Sequence, residues 1–212
     1  MGTETRARER LCELGRSLHQ RGLSFGSAGN LSVRLSDGWL ATPTNVSLGE
    51  LDPARLARLD DQGQWLSGDK PTKETFLHLA MYQERPSAGA VVHLHSTYSV
   101  AAACRADVDP ADVLPPITAY YVMRVGKLPL VPYFRPGDPA LGEAIRAYAD
   151  KHHAVLLANH GPVVAGTTLE AASYAMEELE ETAKLFLLLQ HQPVRLLTPE
   201  QVNDIRQHFP PG

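Results

Sequence analysis

The sequence predicts a single α/β domain over residues 1–212, built of alternating strands and helices. Three observations lead there. The apolar, β-branched runs Ala90-Val-Val-His-Leu-His95 and Ala154-Val-Leu-Leu-Ala158 have the length and content of strands. Helical periodicity lies on either side of them, at residues 4–21 and from 169 to about 190. A chain of 212 residues suffices for one substantial core and is short for two ordinary domains.

Taken in order, Leu11, Leu14, Leu18 and Leu23 recur at helical spacing, and Gly22 marks the end of that helix. The small-residue loop Gly26-Ser-Ala-Gly-Asn30 leads into a hairpin, residues 31–35 and 39–42, about the turn Ser36-Asp-Gly38. A helical turn begins at Leu51-Asp-Pro53, and residues 58–60 and 64–66 flank a second turn, Asp61-Gln-Gly63. Residues 72–84 form a helix with Phe76, Leu77, Ala80 and Met81 on its apolar face, stopped by Arg85-Pro86. After the strand 90–95 come a helix at 96–106, a Pro-rich loop at 107–117, a strand at 128–132 and a helix at 138–151. Val202, Ile205 and Phe209 have helical spacing in a tail placed to cover the site or a neighbour.

Hydrophobic residues at 43% and charged residues at 21% are the balance of a globular protein rather than a disordered one. The net charge of −4 argues against a nucleic-acid partner, and Arg6, Arg8 and Arg10, interleaved with Glu4, Glu9 and Glu13, read as a solvated helix face. Cys12 and Cys104 form neither a disulfide framework nor a CxxC pattern, so both are expected to be small buried hydrophobes in a reducing compartment. With no signal peptide and no apolar run of about 18 residues, a cytoplasmic protein with no membrane partner is expected.

The sharpest local feature is His93-Leu94-His95. Alternate residues of a strand share a face, so two imidazoles placed this way can grip one cation. A core histidine beside a hydrogen-bonded one is the competing reading. His160, between an apolar strand and Gly161, and Glu74, in the first turn of a helix, raise the odds of a metal site. Three neutral imidazoles and a carboxylate suit Zn²⁺, one per subunit, with Mn²⁺ or Co²⁺ as alternatives. His152 and His153, offset from His160, are read as exposed or structural.

The runs Ser27-Ala-Gly-Asn30, Thr42-Pro-Thr-Asn45, Lys73-Glu74, Ala90-Val-Val-His-Leu-His95 and Ala158-Asn-His-Gly161 together resemble the class II aldolase family of fuculose-phosphate aldolase and ribulose-phosphate 4-epimerase. Ser67-Gly-Asp-Lys-Pro-Thr-Lys-Glu74, residues 114–124 and Arg135-Pro-Gly-Asp138 are most similar to its 3-oxo-tetronate 4-phosphate decarboxylases. The resemblance implies a three-layer α/β/α fold with a central mixed, largely antiparallel sheet, and a homotetramer with its active site at the subunit interface. It implies that Glu74, His93, His95 and His160 hold zinc, with Glu74 able to leave the metal and act as acid or base. It assigns phosphate or substrate contacts to Gly29, Asn30, Thr44, Asn45, Thr72 and Lys73. Asn45 replaces a glycine typical of the aldolases, and Thr72 and Lys73 replace two serines of fuculose-phosphate aldolase. An ammonium at Lys73 suits a substrate carrying a carboxylate as well as a phosphate.

The expected chemistry is loss of CO₂ from a phosphorylated 3-oxo acid. A metal polarises the ketone and stabilises the enediolate left behind, and protonation yields dihydroxyacetone phosphate. Glu74, or Tyr120 or Tyr121 from a neighbouring subunit, would supply the proton, with Arg124 and Arg135 as candidate anion partners and Asp69 as a support for Lys73. The alternatives are an aldolase or 4-epimerase acting on a ketose phosphate and, from another class, a metal-free structural module like the adducin head.

Overall fold

The computed structural model describes residues 2–209 and contains a single eight-stranded sheet with helices around it. The strands are β1 (Asn30–Leu35), β2 (Gly38–Ala41), β3 (Ala57–Leu59), β4 (Trp65–Ser67), β5 (Ala90–His93), β6 (Leu130–Val131), β7 (Ala154–Leu157) and β8 (Gly161–Gly166). Their order is β4-β3-β2-β1-β5-β8-β7-β6, and every pairing is antiparallel except β6 with β7. The helices are α1 (Thr3–Gln20), α2 (Thr75–Glu84), α3 (Thr97–Ala103), α4 (Ala119–Arg124), α5 (Ala140–Ala149), α6 (Leu169–Leu188) and α7 (Pro199–His208). The fold is the mixed, largely antiparallel α/β class that the sequence predicts.

Alternation along the strands creates a core on each face of the sheet. Leu31 and Val92 turn toward α1 and α6, packing with Leu11, Leu18, Met176 and Leu179. Val91, Val155 and Val163 turn the other way, onto Leu77, Met81, Leu141 and Ile145 of α2 and α5. Two elements depart from expectation. β8 and α4 lie in stretches to which the sequence reading gave no element, and α4 caps its first turn with the Thr118 hydroxyl, which accepts from the Tyr121 N–H at 3.1 Å. Cys12 is buried as expected; Cys104 is exposed, because α3 ends there at the surface. Among the described residues no helix is long and apolar enough to cross a membrane.

Candidate metal centre and substrate cavity

Three adjacent central strands, β1, β5 and β8, bring their ends together on one side of the sheet: Asn30 is opposite His93, and His93 is opposite Val163. The sequence placed His93 and His95 on one continuous strand. β5 in fact stops at His93, and His95 follows it, yet Leu94 still points into the opposite core and the two imidazoles share a side. Their Nε2 atoms are 3.1 Å apart. His160 arrives from the β7–β8 turn, where Asn159 takes a left-handed φ of 56°. Gly161 then passes so close to β5 that a Cβ there would sit 2.3 Å from the Leu94 carbonyl oxygen. Glu74 caps the N-terminus of α2 rather than lying within its first turn, and its N–H donates to Thr72 Oγ1 at 3.3 Å.

One ligand atom from each of Glu74, His93, His95 and His160 falls within 4.8 Å of all the others, a grouping that suits a metal ion. Glu74 Oε2 is 3.4 Å from His93 Nε2, and Oε1 is 3.2 Å from His160 Nε2. His93 donates from Nδ1–H to the Pro162 carbonyl at 2.8 Å, which leaves the Nε2 lone pair aimed into the cluster. Burial drives the His93 imidazole down to about 3, only partly opposed by Glu74, and burial also lowers His95. Burial pushes Glu74 upward, but the charge of His93 and hydrogen bonds from His160 and Asn30 outweigh it and hold the carboxylate well below its usual range. Burial thus favours the neutral ring for His93 and His95 beside the Glu74 carboxylate, and the nitrogen and oxygen donors gathered here fit a divalent transition metal.

Beside the cluster is a cavity of about 220 Å³ into which Gly29, Asn30, Thr44, Asn45, Thr72, Lys73, Glu74 and His95 all face. Every position tied by resemblance to phosphate or substrate thus gathers at one place. Gly29, at φ 82°, lies so near β5 that a Cβ would be 2.9 Å from the His93 carbonyl oxygen. Asn45 has φ 58°, a conformation glycine adopts freely and asparagine tolerates, which accounts for the replacement at this position. Ser27, Ala28, Pro43, Pro136 and Gly137 also line the cavity; the sequence reading held them within its motif runs but gave them no role at the site. Small and apolar residues in loops carry no chemical signal of their own. Asp69, expected near Lys73, is instead paired with Arg55 at 2.6 Å.

The tyrosines lie elsewhere. Tyr121 is buried, its hydroxyl without a hydrogen-bond partner, beside a cavity of about 230 Å³ closed by Val202 and Arg206 of α7. Burial, reinforced by Asp112, raises its hydroxyl well above the ordinary value. Tyr120 is 59% exposed and lines a larger groove of about 660 Å³ with Tyr98, Arg124 and Tyr174. Neither tyrosine lines the cavity beside the histidine cluster. Arg124 lies over the Tyr174 ring, and Arg135 is 3.7 Å from Asp138. α7 packs on α4, over Tyr121, and not over the cluster. His153 Nε2 bonds the Arg124 carbonyl at 2.8 Å, the structural role expected of it.

Residues 9–187 match the family described as the class II aldolase and adducin N-terminal domain. The chain belongs to that family. It is 52% identical over 206 residues to the 3-oxo-tetronate 4-phosphate decarboxylase of Pectobacterium atrosepticum, covering 97% of this chain and 94% of the relative. Identity to the L-fuculose phosphate aldolase of Escherichia coli is 33% over 192 residues, covering 89% and 86%. Among solved structures, YgbL of Escherichia coli superposes with a TM-score of 0.95 at 48% identity, covering 97% of this chain and all of that one. The family includes enzymes acting on phosphorylated sugars, and the Glu74–His93–His95–His160 grouping is a place where a member could hold a divalent metal.

Proposed function

We propose that the protein is a metal-dependent 3-oxo-tetronate 4-phosphate decarboxylase, working as one domain across residues 1–212. The observation that supports this best is the cavity's composition: Lys73, an exposed ammonium, lines the same wall as Glu74 and the small-residue loop at Gly29. A site for a phosphorylated ketose needs a phosphate cradle and a cation. A second fixed positive charge suits a substrate with a carboxylate to place. The 52% identity to a decarboxylase, against 33% to an aldolase, points the same way.

Glu74, His93, His95 and His160 would hold the metal, with zinc preferred for this donor set and Mn²⁺ or Co²⁺ as alternatives. When bound, the cation supplies Lewis acidity, the electron sink that an enediolate left by departing CO₂ requires. Gly29, Thr44, Asn45 and Thr72 would seat the phosphate, and Lys73 would orient the carboxylate. The bond between C1 and C2 breaks, its electron pair forms the C2–C3 double bond, and a proton delivered to C2 gives dihydroxyacetone phosphate. Glu74 is within reach to carry a proton. Tyr120, exposed where Tyr121 is enclosed, is the tyrosine able to reach a neighbouring subunit's cavity in a homotetramer.

The test is CO₂ release from a panel of phosphorylated 3-oxo acids, with and without chelator, alongside aldehyde release from fuculose and rhamnulose phosphates. Chelator-sensitive CO₂ release supports the proposal. Aldehyde release without CO₂ would assign the site to an aldolase instead.

A further inference from the structure

We infer that a buried hydrogen-bond chain, Tyr82–Ser32–His78–Asn30, holds Glu74 in place at the metal centre, and that His78 is the positioning residue that sets the direction of the Asn30 amide. The inference rests on the metal-binding reading of the cluster, not on which sugar acid is the substrate.

The chain arises from two periodicities meeting. Glu74, His78 and Tyr82 are spaced by four along α2 and its cap, so they share one face of the helix. Asn30 and Ser32 are spaced by two on β1, so they share the face of the sheet turned toward α2. Asn30 Nδ2 donates to Glu74 Oε2 at 2.8 Å, and Asn30 Oδ1 is 2.6 Å from His78 Nε2. His78 Nδ1 is 2.7 Å from Ser32 Oγ, which is 2.8 Å from the Tyr82 hydroxyl. Ser32 and His78 are fully buried, and the Trp39 ring stacks on the imidazole at 6.1 Å.

These contacts can be satisfied in one direction only. A carboxylate accepts and never donates, so the amide nitrogen of Asn30 must face Glu74 and its oxygen must face His78. His78 must therefore donate from Nε2–H, and its Nδ1, in the neutral ring that full burial favours, must accept from the Ser32 hydroxyl. Ser32 in turn accepts from Tyr82. With the other tautomer, two lone pairs would meet between His78 and Asn30. The amide would turn over and set its oxygen against Glu74 Oε2. The carboxylate would then lose the Asn30 donor and, with it, its fixed place beside His93 and His160.

Titration of the full-length, metal-depleted protein with Co²⁺ alone tests this, read by the visible d–d bands and the dissociation constant. Thermal melts verify that each variant is folded. His78→Phe keeps a ring against Trp39 but removes both nitrogens; Co²⁺ binding should weaken roughly 10–100-fold with altered bands. His78→Gln restores a donor where Nε2–H stood and should recover most of that loss. A folded H78F that binds Co²⁺ like the unsubstituted chain would overturn the inference, as would an H78Q as weak as H78F, which would make the role one of packing. If H78F does not fold, Ser32→Ala removes the hydroxyl that marks Nδ1 as acceptor at little change in volume. It should still weaken and perturb the Co²⁺ complex, and an unchanged complex would overturn the inference equally. No Co²⁺ site in the unsubstituted chain would overturn the metal reading and this inference together. A failure to decarboxylate the oxo acids would leave the titration standing.

Discussion

Lys73 and Glu74 are neighbours with opposite environments. The carboxylate side chain is 13% exposed and held by Asn30 and the histidines, whereas the ammonium is exposed at the cavity wall. On the proposed function, this separation would let one position hold the metal while the next selects substrate. Replacing Lys73 with Ser should leave metal affinity unchanged and lower kcat/KM for the oxo acid roughly 10–100-fold, the usual worth of a hydrogen bond to a charged group. Metal titration and steady-state rates on the same preparation check both halves; full activity in the variant would dismiss carboxylate recognition. The candidate ligands stood out in the sequence because histidine and glutamate carry their chemistry with them. Pro136 and Gly137 stood in a motif run without a site role, because they contribute only shape, and His78 was not singled out, because a lone histidine on an apolar helix face reads as ordinary core.

At the level of elements, long periodic segments were readable and short ones were not. α1 and α6 fall within a residue or two of the predicted helices, since an apolar stripe over eighteen or twenty residues leaves little ambiguity. β8, Gly161-Pro-Val-Val-Ala-Gly166, hides behind glycine at both ends and a proline second in line. That proline is useful: its carbonyl takes the His93 Nδ1–H and so selects the metal-facing nitrogen. The junction between β7 and β8 depends on Gly161, whose backbone lies against Leu94. Gly161→Ala should force the turn away from β5 and displace His160, with a loss of about 1–3 kcal/mol in stability. Metal affinity should fall with it. Chemical denaturation and metal titration would register both effects, and an unaltered metal site would show that the turn has room to adjust.

Across the whole molecule, the buried imidazoles make stability depend on pH. Burial lowers His78 to about 4 and His93 to about 3, against an unfolded value of about 6.5. Between those limits the unfolded chain binds more protons than the folded one, so stability rises with pH and falls on acidification. Glu74, depressed in the folded state, adds stability above about pH 4.3 that is lost at still lower pH. The metal-free protein should therefore melt at progressively lower temperature from pH 7 to pH 4, with His78 alone costing up to about 3 kcal/mol. Calorimetry in chelator measures this, and a flat profile would contradict it. The proposed tetramer makes a separate prediction. Tyr120→Phe and His93→Ala subunits, each defective alone, should recover part of the activity when assembled together, because an interface site can draw its intact parts from two chains. No recovery in mixed tetramers would place the proton donor within one subunit.

Residue chemistry and local periodicity were enough to indicate an α/β fold and a candidate metal site at the histidines and Glu74, and the family resemblance added the mixed sheet and the loops around that site. Coordinating side chains and long amphipathic helices both announce themselves over a few residues. Tertiary structure alone decided that the ends of three central strands meet, and that Glu74 reaches them from the cap of α2. It also decided that Tyr121 is enclosed while Tyr120 is exposed, and that an α2 face meets a β1 face in one buried chain. These are relations between segments distant in the sequence, set by strand register and by how a helix packs on a sheet, and no local pattern of residues encodes them.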